Sequence, residues 1–389
     1  MGKSIIIGAG KIGRGFIAQL LYLSNEEFCF IEKSKVFTDM LNRAGSYHIH
    51  VLGNPDRDSD ITGFTAYDFE QRDEIEEKVK EADCIFTSVG GKNLHELIAV
   101  LAPPIKARLA SGNRNKLNII TCENWKKPAE YLRTEIGACM GEYQAAYAET
   151  TGFTESVILR SGIENTEDPL AVNAQDYWEL PIDAAKLKGE LPKVEGFKPM
   201  GDFAGFLERK FYTYNAANST VAYMGTLMGY TKVGDAVYDE FIAENLTGVY
   251  EETSRALSKK QNYPLEEQYK FVQTSLAKMR NKIIADTLER NARDPMRKLG
   301  PEDRLLGPAI MAQACGIAPE HLCTSIAAAI YYENPADESA AELKRIREQE
   351  GVDAVLQRVC GLDREDPLCG LIKSKIRYLK EKGLIKSEK

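Results

Sequence analysis

The chain alternates between short, wholly apolar runs and longer polar segments with helical spacing. Ile5-Ile6-Ile7 breaks into Gly8-Ala9-Gly10-Lys11-Ile12-Gly13 and resumes as a helical pattern through Phe16. An apolar run closed by glycines predicts a buried strand, a tight turn and the first turn of a helix. A second run, Phe28-Cys29-Phe30-Ile31, ends in Glu32. The cadence returns at 83–91, which ends in Val89-Gly90-Gly91, and at 117–124, which ends in Glu123-Asn124. Polar helical segments are expected at 35–44 and 68–81, and an alternating strand at 46–52. Strands alternating with helices predict a doubly wound parallel sheet. After residue 145, short alternating stretches at 155–159 and 177–180 predict extra strands at the sheet edge. Gly189, Pro192, Gly196 and Pro199 mark a link. Beyond Asp202 the pattern is helical nearly to the end, with alanine, leucine, glutamate and lysine dominant.

The expected architecture is an N-terminal α/β, Rossmann-like doubly wound sheet with extra edge strands, residues 1–195. A mostly α-helical substrate domain follows, residues 196–389. In the opening turn Gly8 permits the sharp reversal. Gly10, lacking a Cβ, lets a pyrophosphate approach the backbone, and Gly13 lets helix and strand pack closely. The free N–H groups of the helix start, around Lys11 and Ile12, then face the phosphates. Glu32 follows Gly13 at the spacing of a carboxylate that binds a ribose 2′-hydroxyl. A carboxylate there repels a 2′-phosphate, so NAD is the expected cofactor, although Lys33 and Lys35 come next. Val89 and Gly90 end a strand near the switch point of such a sheet, where a dinucleotide lies.

Composition narrows the class. The 389 residues carry a net charge of −8, with 43% hydrophobic and 28% charged residues. That balance argues against a nucleic-acid binder, and an anion site has to be a local cluster of Lys and Arg. No apolar run approaches the ~20 residues of a membrane span, and the first strand begins by Ser4, so neither a membrane anchor nor a leader is expected. Eight cysteines without a Cys-x-x-Cys pair suggest free thiols in the cytoplasm. His48 and His50 share one strand face at a spacing zinc can use. No third ligand is in view along the sequence, so no metal is expected.

The helical half opens with 206–219, which contains Lys210, Asn215 and Asn218. On an ideal helix Asn218 is rotated about 80° from Lys210 and Asn215 about 140°, so a bend is needed to bring all three to one site. A lysine in a closed cleft loses hydration and its pKa falls, which lets it exchange a proton near neutrality. The same residues also suit an ordinary solvated helix face. Arg297 and Lys298, two adjacent cations beside Pro295, suit capture of an anionic or polyhydroxy substrate, or a surface ion-pair cluster.

Several blocks resemble the polyol-specific long-chain dehydrogenases, and among them the mannitol-1-phosphate 5-dehydrogenases. They are Gly-Ala-Gly-Lys-Ile-Gly-Arg-Gly-Phe at 8–16, Ser46-Tyr47 with His50-Val51, 118–124, 207–211 with Asn215, and 294–299 with 303–305. They occur in the family's order over most of the chain. The resemblance implies that the lysine of a Lys-x4-Asn-x2-His motif, here Lys210, takes the alcohol proton in oxidation and returns it in reduction. Asn215 and Asn124 are implied to hold the substrate oxygen as it gains charge, as in an oxyanion hole. Asn218 stands where the family has histidine. An asparagine can still bond a substrate hydroxyl but cannot change charge near neutrality. The expected function is NAD-dependent interconversion of mannitol 1-phosphate and fructose 6-phosphate. The alternatives are the same chemistry on a free polyol or a hexuronate, and a nucleotide-binding protein without catalysis. Nicotinamide and Lys210 are expected to meet in a crevice between the two halves.

Overall fold

The apolar runs become the central strands of one parallel sheet. In the computed structural model, which describes residues 3–284 and 286–385, the chain divides into two units, Met1–Phe203 and Ala204–Lys389. The first unit contains β1 (Lys3–Ile7), β2 (Glu27–Glu32), β3 (Ser46–Leu52), β4 (Ser59–Thr62), β5 (Thr65–Asp68), β6 (Cys84–Thr87), β7 (Leu117–Thr121), β8 (Thr151–Glu155), β9 (Gly162–Glu164), β10 (Val172–Gln175), β11 (Leu180–Asp183) and β12 (Phe197–Met200). Six of them form a sheet in the order β5-β2-β1-β6-β7-β8, parallel throughout. The order reverses between β1 and β6, which opens a crevice beyond their carboxyl ends.

Alternation of side chains across the sheet explains why these strands read as continuous apolar runs. Ile6, Phe30, Phe86 and Ile120 point to one face. Ile5, Ile7, Ile31, Ile85 and Ile119 point to the other. The second face is covered by Ile75 and Val79 of helix Arg72–Glu81, Leu97 and Leu101 of helix Glu96–Ala110, and Leu132 and Ile136 of helix Pro128–Ala138. The first face is covered by Phe16, Ile17 and Leu20 after the glycine turn and by Leu41 of helix Lys35–Ala44.

The later strands differ from the expectation of an extended sheet edge. Only β8 joins the main sheet. β9 and β10 pair with β3 and β4 in a separate four-stranded sheet, order β4-β3-β10-β9. β11 and β12 form a parallel pair. Tyr47, Ile49, Ala174, Leu180 and Phe197 of these small sheets turn inward onto the first face, so both sheets are lids on the core. Because β12 pairs with β11, the first unit runs past residue 195 to Phe203.

Among the described residues the second unit has helices and no strand. Helix Glu320–Ile330 is its axis. Ala327, Ala328 and Ala329 are buried and small, which lets helices Ala216–Leu227, Glu240–Gln261 and Pro367–Glu381 pack against it.

Candidate functional site

In the first unit the turn after β1 is held in a conformation that only glycine supplies easily. Gly8 has φ +94°, and a Cβ there would come within 2.7 Å of the Ser88 carbonyl oxygen. A Cβ on Gly13 would lie 2.1 Å from the Gly8 carbonyl oxygen, so the helix start can approach the strand only without one. Gly10 faces open space, the room a pyrophosphate needs. The helix that follows begins as a π-turn, Gly13–Ala18. Lys11 is exposed and pairs with Glu164 at 3.2 Å, while Ile12 packs partly against the core.

A cleft of about 240 Å³ lies beside this turn, lined by Gly8, Gly10, Glu32, Ser88, Val89 and Asn93 among others. Glu32 ends β2 in its wall. Its Oε2 accepts from the Ala9 N–H at 2.8 Å and its Oε1 from the Ser34 N–H at 3.0 Å. Of the neighbouring lysines, Lys33 also lines the cleft but pairs there with Glu96 at 2.7 Å, and Lys35 pairs with Asp68 at 3.3 Å. The carboxylate thus faces the cleft as a fixed negative charge that suits a ribose hydroxyl and opposes a phosphate.

Two residues fix the far wall: Ser88, which no motif marks, and Glu123, which the sequence places at the carboxyl end of its strand. The Ser88 N–H donates to the Ile7 carbonyl at 2.8 Å and its hydroxyl to the Gly8 carbonyl at 2.9 Å, stitching the two strand ends together. Glu123, buried after β7, accepts from the Thr87 hydroxyl at 2.7 Å and from the Val89 N–H at 3.1 Å. Burial raises its pKa in spite of those bonds. It holds the Val89-Gly90 bend in place. Gly90 is exposed, with φ +82°, and Asn124 is exposed one residue beyond Glu123. The ring of Trp125 lies over Gly91, within 2.3 Å of where a Cβ would be.

In the second unit Lys210 ends helix Phe203–Lys210, and a π-turn, Phe211–Asn215, joins it to helix Ala216–Leu227. The π-turn lies between Lys210 and Asn215 and departs there from the ideal α-helix. Its bonds run from i to i+5, so residues five apart come nearly into line, which an α-helix forbids. The turn therefore moves Asn215 toward the face of Lys210, and Asn218 follows half-buried one turn on. The segment is clamped from outside. Arg209 Nε donates to Gln268 Oε1 at 2.6 Å, and Gln268 Nε2 donates to the Thr213 hydroxyl at 2.9 Å. The Arg209 guanidinium lies 4.6 and 4.5 Å from the ring centres of Tyr263 and Phe271.

Lys210 is half-buried, and its pKa is pulled down to about 8, first by loss of hydration and then by the charge of Arg304. Lys278, on helix Leu265–Arg280, is pulled down to about 8 by burial and by Lys210. Lys298 is buried, at 3% exposure, and falls to about 7, by burial and then by Arg304 and Arg297. Its ammonium donates to the Asn291 carbonyl and lies 5.9 Å from the ring centre of Tyr223. Arg304 thus bears on both Lys210 and Lys298. It lies 4.9 Å from the ring centre of Phe211 and pairs with Asp303 at 2.8 Å. Arg297 pairs with Asp294 at 2.6 Å and with Asp303 at 3.0 Å, so the adjacent cations split, Arg297 to a surface ion-pair cluster and Lys298 to the interior. The result is a cluster of partly dehydrated basic side chains near the lysine that precedes the π-turn.

The chain matches the model of the mannitol dehydrogenase Rossmann domain over residues 3–196 and that of the mannitol dehydrogenase C-terminal domain over residues 202–380. It belongs to the mannitol dehydrogenase family. It is accordingly an NAD-dependent polyol oxidoreductase with a Rossmann cofactor domain. The fold is shared with Pseudomonas fluorescens mannitol 2-dehydrogenase, solved as a ternary complex with NAD and D-mannitol. That structure is 14% identical, with a TM-score of 0.69 over 98% of this chain and 92% of that one. A D-sorbitol dehydrogenase in substrate-free form is also 14% identical, with a TM-score of 0.80 over 98% of this chain and 93% of that one. No helix among the described residues is long and apolar enough to cross a membrane.

Proposed function

We propose that the protein interconverts mannitol 1-phosphate and fructose 6-phosphate in the cytoplasm, with Lys210 as the acid and base. The supporting observation is the depressed lysine just before the π-turn, set near cations that a phosphorylated substrate would neutralise. NAD(H) supplies the hydride exchange when bound. In reduction, protonated Lys210 donates its proton to the substrate oxygen as the carbonyl becomes a hydroxyl. In oxidation, neutral Lys210 takes that proton. Asn215 contributes an amide N–H donor to the oxygen while it bears negative charge, the role that the family resemblance also implies for Asn124. Arg304 favours an anion, a bound anion would in turn favour the charged form of Lys298, and Asn218 offers a neutral hydrogen-bonding partner to a hydroxyl. Eight free cysteines, most of them buried, are consistent with a reducing compartment.

A second reading, the same reaction on a free polyol or a hexuronate, is favoured by Asn218 in the place of the family's histidine and by the engagement of Arg297 with two aspartates. Following NADH absorbance with fructose 6-phosphate, fructose and tagaturonate separates the readings. The proposal expects kcat/KM for fructose 6-phosphate to exceed the others by at least tenfold. A preference for either other substrate replaces it with the second reading. No turnover of any of them leaves a nucleotide-binding role.

A further inference from the structure

The third ligand that the strand around His48 and His50 lacked in sequence is supplied by the fold. β3 alternates Tyr47 and Ile49 inward against the core with His48 and His50 outward. The chain then reverses at Gly53 (φ +82°) and through the turn Pro55–Arg57, and presents Asp58 to the same outer face. Asp58 Oδ2 lies 3.5 Å from His48 Nε2 and 3.4 Å from His50 Nδ1. One ligand atom from each of the three residues falls within a mutual 4.8 Å. In a tetrahedral site with bonds of about 2.0–2.2 Å, ligand atoms are separated by roughly 3.3–3.6 Å. Two separations therefore already match edges of such a tetrahedron, and the third, between the two imidazoles, is within 4.8 Å.

Two further contacts orient these ligands. His48 Nδ1 lies 2.7 Å from Asp60 Oδ1, so that carboxylate takes the Nδ1 N–H, and Nε2, which faces Asp58, is the ligand atom that gives up its proton when a cation binds. Asp58 Oδ1 accepts from the Val51 N–H at 2.6 Å, which leaves Oδ2 for the two imidazoles. A histidine oriented by a second carboxylate is the arrangement that tunes imidazole ligands in zinc sites. The loop is fixed from behind: Asn54 Nδ2 donates to Asp176 at 2.9 Å, and the Arg57 guanidinium lies 4.2 Å from the ring centre of Trp178.

We propose that His48, His50 and Asp58 form a binding site for a zinc-class divalent cation that pins the β3–β4 pair, with Asp60 as the residue that positions His48. Two imidazoles and one carboxylate suit Zn²⁺, Co²⁺ or Ni²⁺, and disfavour Mg²⁺ and Ca²⁺, which take oxygen ligands. Its role is structural, and no step of the proposed proton chemistry is routed through it.

The test uses the full chain, stripped with chelator and titrated with Zn²⁺ or Co²⁺ alone. One equivalent of either ion is expected to bind, to raise the melting temperature, and with Co²⁺ to give the absorbance of a low-symmetry site. Imidazole NMR reads the unaltered protein: Zn²⁺ should shift the resonances of His48 and His50 and leave those of His95 and His321 in place. His50→Gln and Asp58→Asn should each weaken binding at least tenfold, and Asp60→Asn about 10–100-fold. Equal binding by His50→Gln and Asp58→Asn, unmoved His48 and His50 signals, or no stoichiometric binding overturns the proposal.

Discussion

The carboxylate of Glu32 is hydrogen-bonded to the backbone N–H of Ala9 at 2.8 Å. The acid at the end of the second strand is thereby tied to the glycine turn at the end of the first, and its charge is held against the cleft. Replacing Glu32 by alanine removes both the charge-assisted bond to a ribose hydroxyl and the repulsion of a 2′-phosphate. A bond of that kind contributes about 1.5–3 kcal/mol. We expect kcat/KM for NADH to fall roughly 10–100-fold and that for NADPH to stay level or rise, read from steady-state kinetics with both nucleotides. An unchanged NADH to NADPH ratio would exclude Glu32 as the selector.

Lys210 gives the proposed reaction a pH signature with opposite signs in the two directions. Its pKa is drawn down to about 8. Ketose reduction needs the protonated amine, so its rate should fall as pH rises through about 8. Polyol oxidation needs the neutral amine, so its rate should rise through the same range. Lys210→Ala should lower kcat about 10²–10⁴-fold while NADH still binds by fluorescence titration. Normal turnover in that variant removes the lysine from the mechanism.

Lys298 should mark the stability of the second unit. Its pKa in the fold is about 7 against an ordinary 10.5. Below pH 7 it is charged both folded and unfolded, and the fold bears the full penalty of burying that charge. Between pH 7 and 10.5 the unfolded chain binds the extra proton, so this group adds stability as pH rises. Lys298→Met abolishes the dependence. Urea midpoints should therefore show the variant most favoured relative to the parent at pH 6 and losing that advantage by pH 9. A constant difference between the two proteins across that range would mean that the ammonium is not buried in solution.

Anion occupancy should register without catalysis. At constant ionic strength, replacing chloride by inorganic phosphate should raise the melting temperature, because phosphate offsets the mutual repulsion of Arg304 with Lys210 and Lys298. Arg304→Gln should remove most of that rise. An equal rise in parent and variant would place phosphate elsewhere and weaken the case for a phosphorylated substrate.

Asn218→His restores the residue of the related motif. If position 218 reads the substrate, the variant should change the ratio of kcat/KM for fructose 6-phosphate and fructose by at least threefold. An unaltered ratio would show that substrate choice is made by other side chains.

Much of the fold was legible in the order of residues, because its determinants are local. Three apolar residues before Gly8, the run ending at Glu32, and the helical periodicity beyond Asp202 each express a rule that acts over a few positions. Gly8 and Gly13 were legible for the same reason, since close backbone approach excludes any other residue. Tertiary structure decided what depends on partners distant in sequence. Nothing along the chain announces that β10 pairs with β3, and β9 with β10, rather than with β8, because pairing partners are chosen by which face of the core remains uncovered. An ideal helix kept Lys210 and Asn215 apart, and only the π-turn, clamped through Arg209, Gln268 and Thr213, changes that angle. Burial separated Lys298 from Arg297, two cations the sequence shows as equals. The return of the chain after Gly53 brought Asp58 to His48 and His50. Local periodicity determined the elements and the glycine turn. The environment of each charge, and with it the proton affinity on which the proposed chemistry rests, was set by residues far along the chain that only folding brings near.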